Sequence, residues 1–305
     1  MVTVFTPTYN RSYIIEKLYR SLQRQTCFDF EWLVVDDGST DNTGELFKTW
    51  KNESNFFHIR YYRQENGGKH RAINKGVELA EGDFFFIVDS DDWLPNDSIS
   101  RVVLWMNSLP DDAKKRFCGV CGQKVFPDGE LMGGTFCGEW IDCTCLEREK
   151  HGITGDKAEV FFTGVMKKYP FPEIEGEKFI TEATVWDQMA EDGYLMRFFN
   201  EPVYLGEYRE DGLTNQGLNL FMRNPKGFAL YLKQCRRYGK FSQGLQDYFD
   251  IHCYMACHRK MPYSEISERL GRSAYVLAVK FILYLFRQYA SKIKQCCLRD
   301  KRRKQ

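Results

Sequence analysis

The residues best suited to chemistry in this 305-residue chain are acidic side chains that directly follow a strongly apolar segment. Residues 84–88 predict a buried strand, and Asp89, Ser90, Asp91 and Asp92 come immediately after it. Mg²⁺ and Mn²⁺ favour carboxylate oxygens and usually bring substrate phosphates with them, so this cluster suits a hard divalent cation. The competing interpretation is an Asp-rich turn that caps the next helix.

A second acidic pair, Asp36 and Asp37, stands in an equivalent place at the end of another strand-type segment. Strand-type and helix-type segments alternate through the first part of the chain, and this order predicts a parallel sheet with helices on both faces. In such sheets ligands bind beyond the carboxyl ends of the strands, where both acidic groups fall. The predicted strands are residues 2–6, 31–35, 57–62 and 83–88.

The predicted helices between these strands begin at polar residues. Asn10 is the expected cap of the first helix, and Thr40 or Asp41 is the expected start of the second. The third is expected at residues 68–80.

The character of the chain changes after Pro110. Residues 138–155 are polar and rich in cysteine, which is typical of a loop that sets specificity. The remaining segments alternate less regularly, and the end of the chain has a wholly helical pattern. The expected elements are strands at 117–126, 131–136 and 160–166, a helix at 182–191, and helices alone from about residue 218.

Composition and charge describe an ordinary globular chain, with 43% hydrophobic and 28% charged residues. A formal net charge of +1 gives no global electrostatic case for binding nucleic acid. The chain has eleven cysteines, an odd number, and its first residues show no signal-peptide pattern. Both observations favour reduced thiols and a cytoplasmic location. A zinc site is the weaker interpretation, because the spacing of the candidate ligands Cys118, Cys121, Cys137, Cys143 and Cys145 is irregular.

Several common catalytic motifs are absent from the sequence. The first strand runs into Thr6, Pro7 and Tyr9 without a Gly-x-Gly-x-x-Gly turn, which argues against a dinucleotide site. The chain also contains neither a Walker A sequence nor a Gly-x-Ser-x-Gly nucleophile elbow. Polar strand ends with two acidic clusters instead suit a nucleotide diphosphate that is bridged to the protein by a metal ion.

Four ordered segments together resemble the family 2 glycosyltransferases of the GT-A fold, a group that includes bacterial polysaccharide and lipopolysaccharide sugar transferases. The resemblance covers about the first 95 residues. It implies a Rossmann-like, mostly parallel central sheet flanked by helices, followed here by a helical extension. The matching segments are Thr6-Pro7-Thr8-Tyr9-Asn10, residues 34–43 (Val-Val-Asp-Asp-Gly-Ser-Thr-Asp-Asn-Thr), residues 66–76 (Asn-Gly-Gly-Lys-His-Arg-Ala-Ile-Asn-Lys-Gly), and residues 80–83 (Ala-Glu-Gly-Asp) leading to 88–92.

The resemblance assigns donor-binding roles around the predicted sheet edge. Thr6, Pro7 and Tyr9 would line the nucleoside pocket, and Asp37, with Asp36 beside it, would accept the N–H of a base such as uracil. An N-cap or Asx-turn role for Asp37 is the alternative. These residues would bind the nucleoside half of the donor.

The diphosphate would lie near Lys69, at the start of a helix where free N–H groups also meet anions, and near Arg209. A solvated lysine and an ordinary ion pair are the respective alternatives. Asp91 is the expected direct ligand of Mg²⁺ or Mn²⁺, and Asp89 would contact the metal, a metal-bound water or the ribose. Ser90 and Asp92 would support the metal or the sugar.

The catalytic base is expected on Glu182, in a segment that occupies the family's usual place for an acidic residue at the start of a helix. Ala183 stands where the family often has a second acid. Asp187 and Glu177 are the alternatives, and Glu182 would otherwise serve only to open the helix.

The resemblance thus implies a metal-dependent inverting glycosyltransferase, with a UDP-sugar as the favoured donor and a glycan or lipid-linked glycan hydroxyl as acceptor. A sugar-phosphate nucleotidyltransferase and a catalytically silent sugar-nucleotide-binding module are the alternatives. We expect a transferase domain over residues 1–215, divided into a nucleotide-binding half (1–110) and an acceptor-side half (111–215). Residues 216–305 would form the helical extension.

The end of the chain has a pattern typical of peripheral membrane binding. Residues 274–286 are apolar except for Lys280, a run too short to span a bilayer. Residues 291–305 carry seven basic residues against one Asp, a net charge of +6. An apolar helix with a basic tail suits the anionic cytoplasmic face of a membrane, and a buried terminal helix with a solvated tail is the alternative.

Overall fold

In this computed structural model the backbone is described for residues 1–110 and 114–303, and side chains for residues 1–110 and 115–288. The described chain divides into two compact units, Met1–Asn215 and Gln216–Gln305. The first unit contains the sheet and the predicted acidic clusters, and the second is helical.

One eight-stranded sheet organises the first unit, in the spatial order β3-β2-β1-β4-β7-β5-β8-β6. β1 to β4 are mutually parallel, β5 and β8 run in the same direction as them, and β7 and β6 run against the others. The expected α/β fold class is therefore confirmed. The strands are β1 Val2–Thr8, β2 Phe30–Asp36, β3 His58–Arg63, β4 Phe84–Ile87, β5 Phe117–Val125, β6 Trp140–Cys143, β7 Lys157–Phe162 and β8 Leu195–Leu205.

Helices cover both faces of the sheet, because crossover connections between parallel strands place them there. In the first unit these are α1 Glu16–Gln23, α2 Thr43–Lys51, α3 Lys69–Leu79, α4 Ser98–Asn107, α5 Thr163–Met166 and α6 Ala183–Glu191. Single 3₁₀ turns lie at Lys114–Arg116 and Arg148–His151. α7, Leu213–Arg223, crosses the boundary between the two units.

The two faces of the sheet carry separate hydrophobic cores. Every residue of β1 and β2 is buried, as expected for central strands that are covered on both faces. On one face Tyr19 stacks on Trp32 and Trp50 at centroid distances of 5.9 and 4.5 Å. On the other, Phe5 stacks on Phe85 at 5.0 Å. These packed rings join neighbouring strands and hold α1 and α2 against the sheet.

The first two predicted helix starts are wrong. Asn10 does not cap α1, which begins at Glu16. Its φ is +52°, and its Oδ1 accepts a 2.7 Å hydrogen bond from the amide of Thr40, so it joins two loops at the sheet edge. α2 begins at Thr43 and not at Thr40 or Asp41, because Asp41 Oδ1 accepts hydrogen bonds from the amide and hydroxyl of Thr43.

The predicted segments after Pro110 also need correction. Residues 131–136 make only an isolated bridge, between Val125 and Leu131, because the chain there lies against another loop. A Cβ at Gly134 would lie 2.1 Å from the carbonyl oxygen of Gly152, an approach that only glycine permits. The predicted strand 160–166 is β7 followed by α5, and the expected loop 138–155 contains β6 and a 3₁₀ turn.

The second unit packs its helices around a separate core. None of the helices in the described part of the chain is both long and apolar enough to cross a bilayer. The basic side chains of residues 291–305 lie outside the described residues, so the structure does not test the prediction made for them. The helices are α8 Pro225–Tyr238, α9 Gln243–Cys257, α10 Tyr263–Leu270 and α11 Ala274–Arg303.

Candidate active site

The acidic turn after β4 lies at the edge of the sheet where β1, β2, β5 and β8 also end. Each of its three carboxylates faces a cation from a different element. Lys69 Nζ lies 2.7 Å from Asp89 Oδ1 and Lys124 Nζ lies 2.8 Å from Asp92 Oδ2. A guanidinium nitrogen of Arg11 lies 3.7 Å from Asp91 Oδ2. The site therefore contains closely spaced charges of both signs.

Asp92 is the most buried of the three carboxylates, and it anchors the turn. Its Oδ2 accepts hydrogen bonds from Lys124 and, at 3.0 Å, from the hydroxyl of Tyr204. Burial raises the pKa of Asp92 to about 6, although Lys124 opposes this shift. Burial also raises the pKa of Tyr204, so its hydroxyl keeps the proton that it donates to Asp92.

Asp91 is connected through Arg11 to the loop that follows β8. The Arg11 guanidinium contacts both Asp91 and Asp211, and Asp211 also accepts a hydrogen bond from Tyr13. Burial raises the pKa of Asp91, and the charge of Asp89 raises it further. The 3.7 Å contact with Arg11 opposes these two effects but does not outweigh them.

Lys69, the first residue of α3, connects the acidic turn with the predicted base. Its Nζ lies 2.7 Å from Asp89 Oδ1 and 3.0 Å from Glu182 Oε1. Burial opposes ionisation of Asp89, but Lys69 and Lys124 outweigh it and lower the pKa of that carboxyl. Asp89 therefore stays charged in the neutral pH range.

Asp37 fixes the loop that leads into α3. Its two oxygens accept hydrogen bonds from Gln64 and Asn66 side chains and from the amides of Gly67 and Gly68, at 2.7–3.1 Å. Four donors use the usual acceptor capacity of a carboxylate. Binding of a base N–H at Asp37, which stays a prediction, would require exchange of one of these bonds.

The other residues predicted to bind the nucleoside lie beside Asp37 with different exposure. Asp36 is buried and accepts hydrogen bonds from the amide of Ser39 and the hydroxyl of Tyr61, so it braces the turn after β2. Thr6 is buried and accepts a 3.0 Å hydrogen bond from the Trp32 indole. Pro7 and Ser90 are also buried, and Tyr9 is 48% exposed.

Thr8 is a further polar residue in this region, and no role for it was predicted from the sequence. It is the last residue of β1 and is only 3% exposed. Its hydroxyl has no hydrogen-bond partner among the described residues. A buried hydroxyl at a strand end is a natural contact for a ligand.

Exposure separates the three candidate bases. Glu177 and Asp187 are 4% and 2% exposed, whereas the side chain of Glu182 is 33% exposed. Glu182 takes the N-cap position of α6, but its side chain makes no capping hydrogen bond and contacts Lys69 instead. Of the three, Glu182 is the carboxylate that a substrate hydroxyl can reach.

Arg209 lies in a cleft of about 690 Å³ that is lined by Phe126 and residues 207–211. Its Nε is 3.5 Å from Asp211, and its guanidinium lies 5.5 Å from the centre of the Tyr13 ring. Arg209 thus lies on the same loop as Asp211, and Arg11 joins this loop to Asp91. The contact of Arg209 with diphosphate stays a prediction.

Three residues that complete this charged network were missed from the sequence. Lys124 and Tyr204 are each the penultimate residue of a strand that ends at this edge, β5 and β8. A search for polar side chains at every strand end would have found both. Arg11 follows the first matching segment directly, and only its contact with Asp91 reveals its place.

A divalent metal ion fits the donor set of the acidic turn. Asp89 and Asp91 supply hard carboxylate oxygens from one turn, where burial and then the charge of Asp89 raise the pKa of Asp91. Among the described side chains, no group of three His, Cys, Asp or Glu is arranged to hold a metal. Two carboxylates from one turn are a donor set that Mg²⁺ commonly takes, together with substrate phosphates and waters.

The cysteines lie apart from the acidic turn in the sequence, and those that are described are free thiols. Cys118, Cys121 and Cys143 are buried, and Cys137 is exposed. Burial raises the pKa of Cys143 to about 11 and that of Cys145 to about 12. Neutral, buried thiols behave as small hydrophobic side chains.

A family model described as "Glycosyl transferase family 2" matches residues 3–128. The glycosyltransferase GlyG of Streptococcus pneumoniae is 36% identical over 235 residues, which cover 72% of this chain and 75% of GlyG. The abequosyltransferase RfbV of Salmonella typhimurium is 35% identical over 126 residues, 39% of this chain but only 38% of RfbV. The chain therefore spans much less than the full length of some of its relatives.

Solved structures show the same fold. TarS of S. aureus, in complex with UDP-GlcNAc, superposes with a TM-score of 0.59 at 17% identity, over 92% of this chain and 88% of TarS. The mannosyltransferase PcManGT of Pyrobaculum calidifontis, in complex with GDP-Man and Mn²⁺, has a TM-score of 0.54 at 19% identity, over 95% and 82% of the two chains. With these sequence and fold relationships, the chain belongs to glycosyl transferase family 2 and is a transferase enzyme.

Proposed function

We propose that this protein is a metal-dependent, inverting glycosyltransferase that moves a sugar from a nucleoside diphosphate sugar to an acceptor hydroxyl in glycan biosynthesis. Its catalytic unit would be residues 1–215, with the nucleotide-binding half at 1–110 and the acceptor-side half at 111–215. Residues 216–305 would form an extension.

One observation carries the proposal. A single lysine, Lys69, lies 2.7 Å from Asp89 of the acidic turn and 3.0 Å from Glu182, the exposed carboxylate at the start of α6. The group that would bind the donor diphosphate and the group that would act on the acceptor therefore both contact one ammonium. Transfer in a single displacement needs this proximity, because donor and acceptor must meet in one site.

The geometry supports the following chemistry. Glu182 takes the proton of the acceptor hydroxyl as general base, and the acceptor oxygen forms a bond to the anomeric carbon. The bond between that carbon and the diphosphate oxygen breaks, and its electron pair leaves with the nucleoside diphosphate. Attack opposite the leaving group inverts the configuration, and no covalent enzyme intermediate is required.

The leaving diphosphate develops charge that the site must stabilise. Asp91, with Asp89, would hold Mg²⁺ or Mn²⁺, which supplies positive charge to the leaving group when it is bound. Lys69 would contribute its ammonium from the start of α3, and Arg11, which contacts Asp91, and Arg209 would add guanidinium groups. Removing these cations should slow departure of the diphosphate.

We favour a uridine donor. Thr6, Pro7, Tyr9, Asp36 and Asp37 would surround the nucleoside. TarS is solved with UDP-GlcNAc, which supports this choice, whereas PcManGT is solved with GDP-Man, so the fold accepts either base. Ser90 and Asp92 would support the sugar side.

Two other functions are distinguished by their products. A sugar-phosphate nucleotidyltransferase would release pyrophosphate, and a catalytically silent module would bind the donor and release nothing. A screen of UDP-, GDP-, ADP- and CDP-sugars, with nucleoside diphosphate and pyrophosphate detected separately, tests all three. We expect nucleoside diphosphate alone, released with Mg²⁺ or Mn²⁺ and not with EDTA.

Asp91→Asn should abolish this release, and Asp83→Asn provides the matched control. Asp83 is an 82% exposed aspartate at the opposite edge of the sheet, where β4 begins. Loss of activity in both variants, or in neither, would contradict the proposed role of Asp91.

We propose further that α11 brings the enzyme to the anionic cytoplasmic surface of a membrane, where a lipid-linked glycan would be the acceptor. One side of α11 is buried through Ala274 and Leu277. Its exposed apolar residues follow a helical spacing and form a stripe. They are Tyr275, Val276, Val279, Ile282, Leu283 and Phe286, each 48–72% exposed.

Cosedimentation with phosphatidylserine vesicles at low salt tests this placement. We expect the intact protein to sediment, and a variant with Val279→Glu, Ile282→Glu and Phe286→Glu to stay in the supernatant. Leu104→Glu, at a 67% exposed position of α4, is the control and should sediment normally. Failure of the intact protein to sediment, or dimers that the triple variant dissociates, would overturn the proposal.

A further inference from the structure

Lys69 occupies a position in which it serves two carboxylates at once. Its Nζ contacts Asp89 Oδ1 at 2.7 Å and Glu182 Oε1 at 3.0 Å, and its side chain is 22% exposed. Both distances are those of short, charge-assisted hydrogen bonds. Glu182 is therefore an ion-paired carboxylate in this structure, and its paired oxygen is not available to an acceptor hydroxyl.

The same lysine is the cation nearest to the start of α3. The amides of Gly67 and Gly68 are directed at Asp37, and Lys69 extends from the first turn toward the acidic edge. A diphosphate that binds at this edge would compete with Glu182 for the Lys69 ammonium. The diphosphate of a nucleoside diphosphate sugar carries two negative charges against the single charge of Glu182, and its oxygens are strong acceptors.

We propose that Lys69 couples donor binding to activation of the base. In the free enzyme Lys69 pairs with Glu182, and when the donor binds, the ammonium turns to the diphosphate and releases Glu182 for the acceptor. Lys69 is in this respect a positioning residue for Glu182. This inference rests on the proposed function, because it requires a nucleoside diphosphate at the acidic edge.

The coupling has a consequence for the order of binding. Glu182 becomes available only after the donor has taken Lys69, so the donor binds before the acceptor is deprotonated. The ion pair also limits the chance that Glu182 activates a stray hydroxyl or water when no donor is present. No bond is formed or broken in this step, and only the partner of the ammonium changes.

Calorimetric titration with UDP, in the presence and absence of Mn²⁺, tests the coupling without measuring turnover. If Lys69 must leave Glu182 to reach phosphate, Glu182→Gln should bind UDP about fivefold or more tightly than the wild type. Lys69→Met should bind UDP about tenfold or more weakly, because a charge-assisted contact is lost. In the double variant, Glu182→Gln should bring no gain over Lys69→Met alone.

A matched control separates this coupling from the general effect of removing a negative charge. Glu173 lies 3.6 Å from Arg71, two residues after Lys69 on α3, and it is 52% exposed. Glu173→Gln removes one charge beside the same helix and should leave UDP affinity within about twofold. Lys69→Arg, which keeps the charge, should recover most of the affinity that Lys69→Met loses.

The outcomes are distinguishable. Binding of UDP to the wild type with no gain in Glu182→Gln, or with an equal gain in the Lys69→Met background, would overturn the inference and leave the proposed function standing. If the wild type bound none of UDP, GDP, ADP and CDP, both would fail. Thermal unfolding checks each variant, and if Lys69→Met does not fold, Glu182→Gln compared with Glu173→Gln decides the question.

Discussion

The hydroxyl of Tyr204, near the end of β8, donates a 3.0 Å hydrogen bond to Asp92 Oδ2. The Tyr204 hydroxyl oxygen also accepts a 2.8 Å hydrogen bond from the backbone amide of Asp89. One phenol thus holds both ends of the acidic turn, and it does so from a strand more than a hundred residues away in sequence. The position of the turn depends on this contact as much as on β4 itself.

Tyr204→Phe should therefore loosen the acidic turn. The variant leaves the Asp89 amide and part of the Asp92 carboxylate without their partner, and we expect a loss of about 1–3 kcal/mol in the free energy of unfolding. Turnover should fall together with the apparent affinity for Mn²⁺. Denaturant unfolding and metal-dependent kinetics measure the two effects.

Tyr208→Phe is the control for this variant, because Tyr208 is 51% exposed and makes a single 3.3 Å hydrogen bond with Asp156. Its stability should change by less than about 0.5 kcal/mol. Equal effects of the two substitutions would show that Tyr204 does not hold the turn.

The loop before α3 depends on a close backbone approach at Gly68. A Cβ at this position would lie 1.9 Å from the carbonyl oxygen of Lys178, and the φ of Gly68 is +99°. Gly129 has a similar φ of +90° but open space around it, so a substitution there shows the cost of backbone strain without a steric clash. We expect Gly129→Ala to cost about 1–2 kcal/mol, and Gly68→Ala to cost about 1–3 kcal/mol more through overpacking.

Gly68→Ala should also raise KM for the donor, because Lys69 follows directly and its ammonium would move from the acidic edge. Equilibrium unfolding and steady-state kinetics of both variants test this. If Gly68→Ala were no less stable than Gly129→Ala, the contact with the backbone of Lys178 would not exist in solution.

His70, the second residue of α3, should make stability depend on pH. It is 1% exposed, and neither ring nitrogen has a hydrogen-bond partner among the described residues. Burial lowers its pKa to about 4. Between about pH 6.5 and pH 4 the unfolded chain binds the proton more readily than the folded chain, so this contribution to stability is lost as the pH falls through that window.

His70→Leu removes the ionisable group at similar size. The variant should gain stability relative to the wild type as the pH falls from 7 toward 4.5, by about 2 kcal/mol. Denaturant titrations of both proteins at several pH values measure this difference in stability. The contributions of the other titrating groups are common to both proteins and cancel. A difference that does not change with pH would show that His70 is solvated or paired.

The sequence pattern was sufficient for the parallel half of the sheet. β1, β2 and β4 are mainly apolar runs that end in or lead into polar residues, and a shared edge follows from parallel pairing alone. Asp36, Asp37, Asp89 and Asp91 could therefore be located at one edge before any coordinates. What the pattern lacked was the partner of each carboxylate.

Those partners come from distant elements, and local periodicity does not contain their register. Lys124 and Tyr204 reach Asp92 from β5 and β8, a pair of strands whose register shifts at several points. The bond between Asp37 and the loop before α3 likewise depends on how a turn folds back. The strand predicted at residues 131–136 was wrong for a related reason, because a close contact with another loop overrides the strand propensity there.

The release of nucleoside diphosphate by Asp91→Ala and Glu182→Gln, beside the wild type, tests the central claim most directly. Water can stand in for an unidentified acceptor, so the assay needs only the donor, Mn²⁺ and a detector of the diphosphate. We expect both variants to lose at least about a hundredfold in turnover, and Glu182→Gln to retain UDP binding, since the base acts on the acceptor. Near-normal turnover in Asp91→Ala, or loss of UDP affinity in Glu182→Gln, would contradict the account.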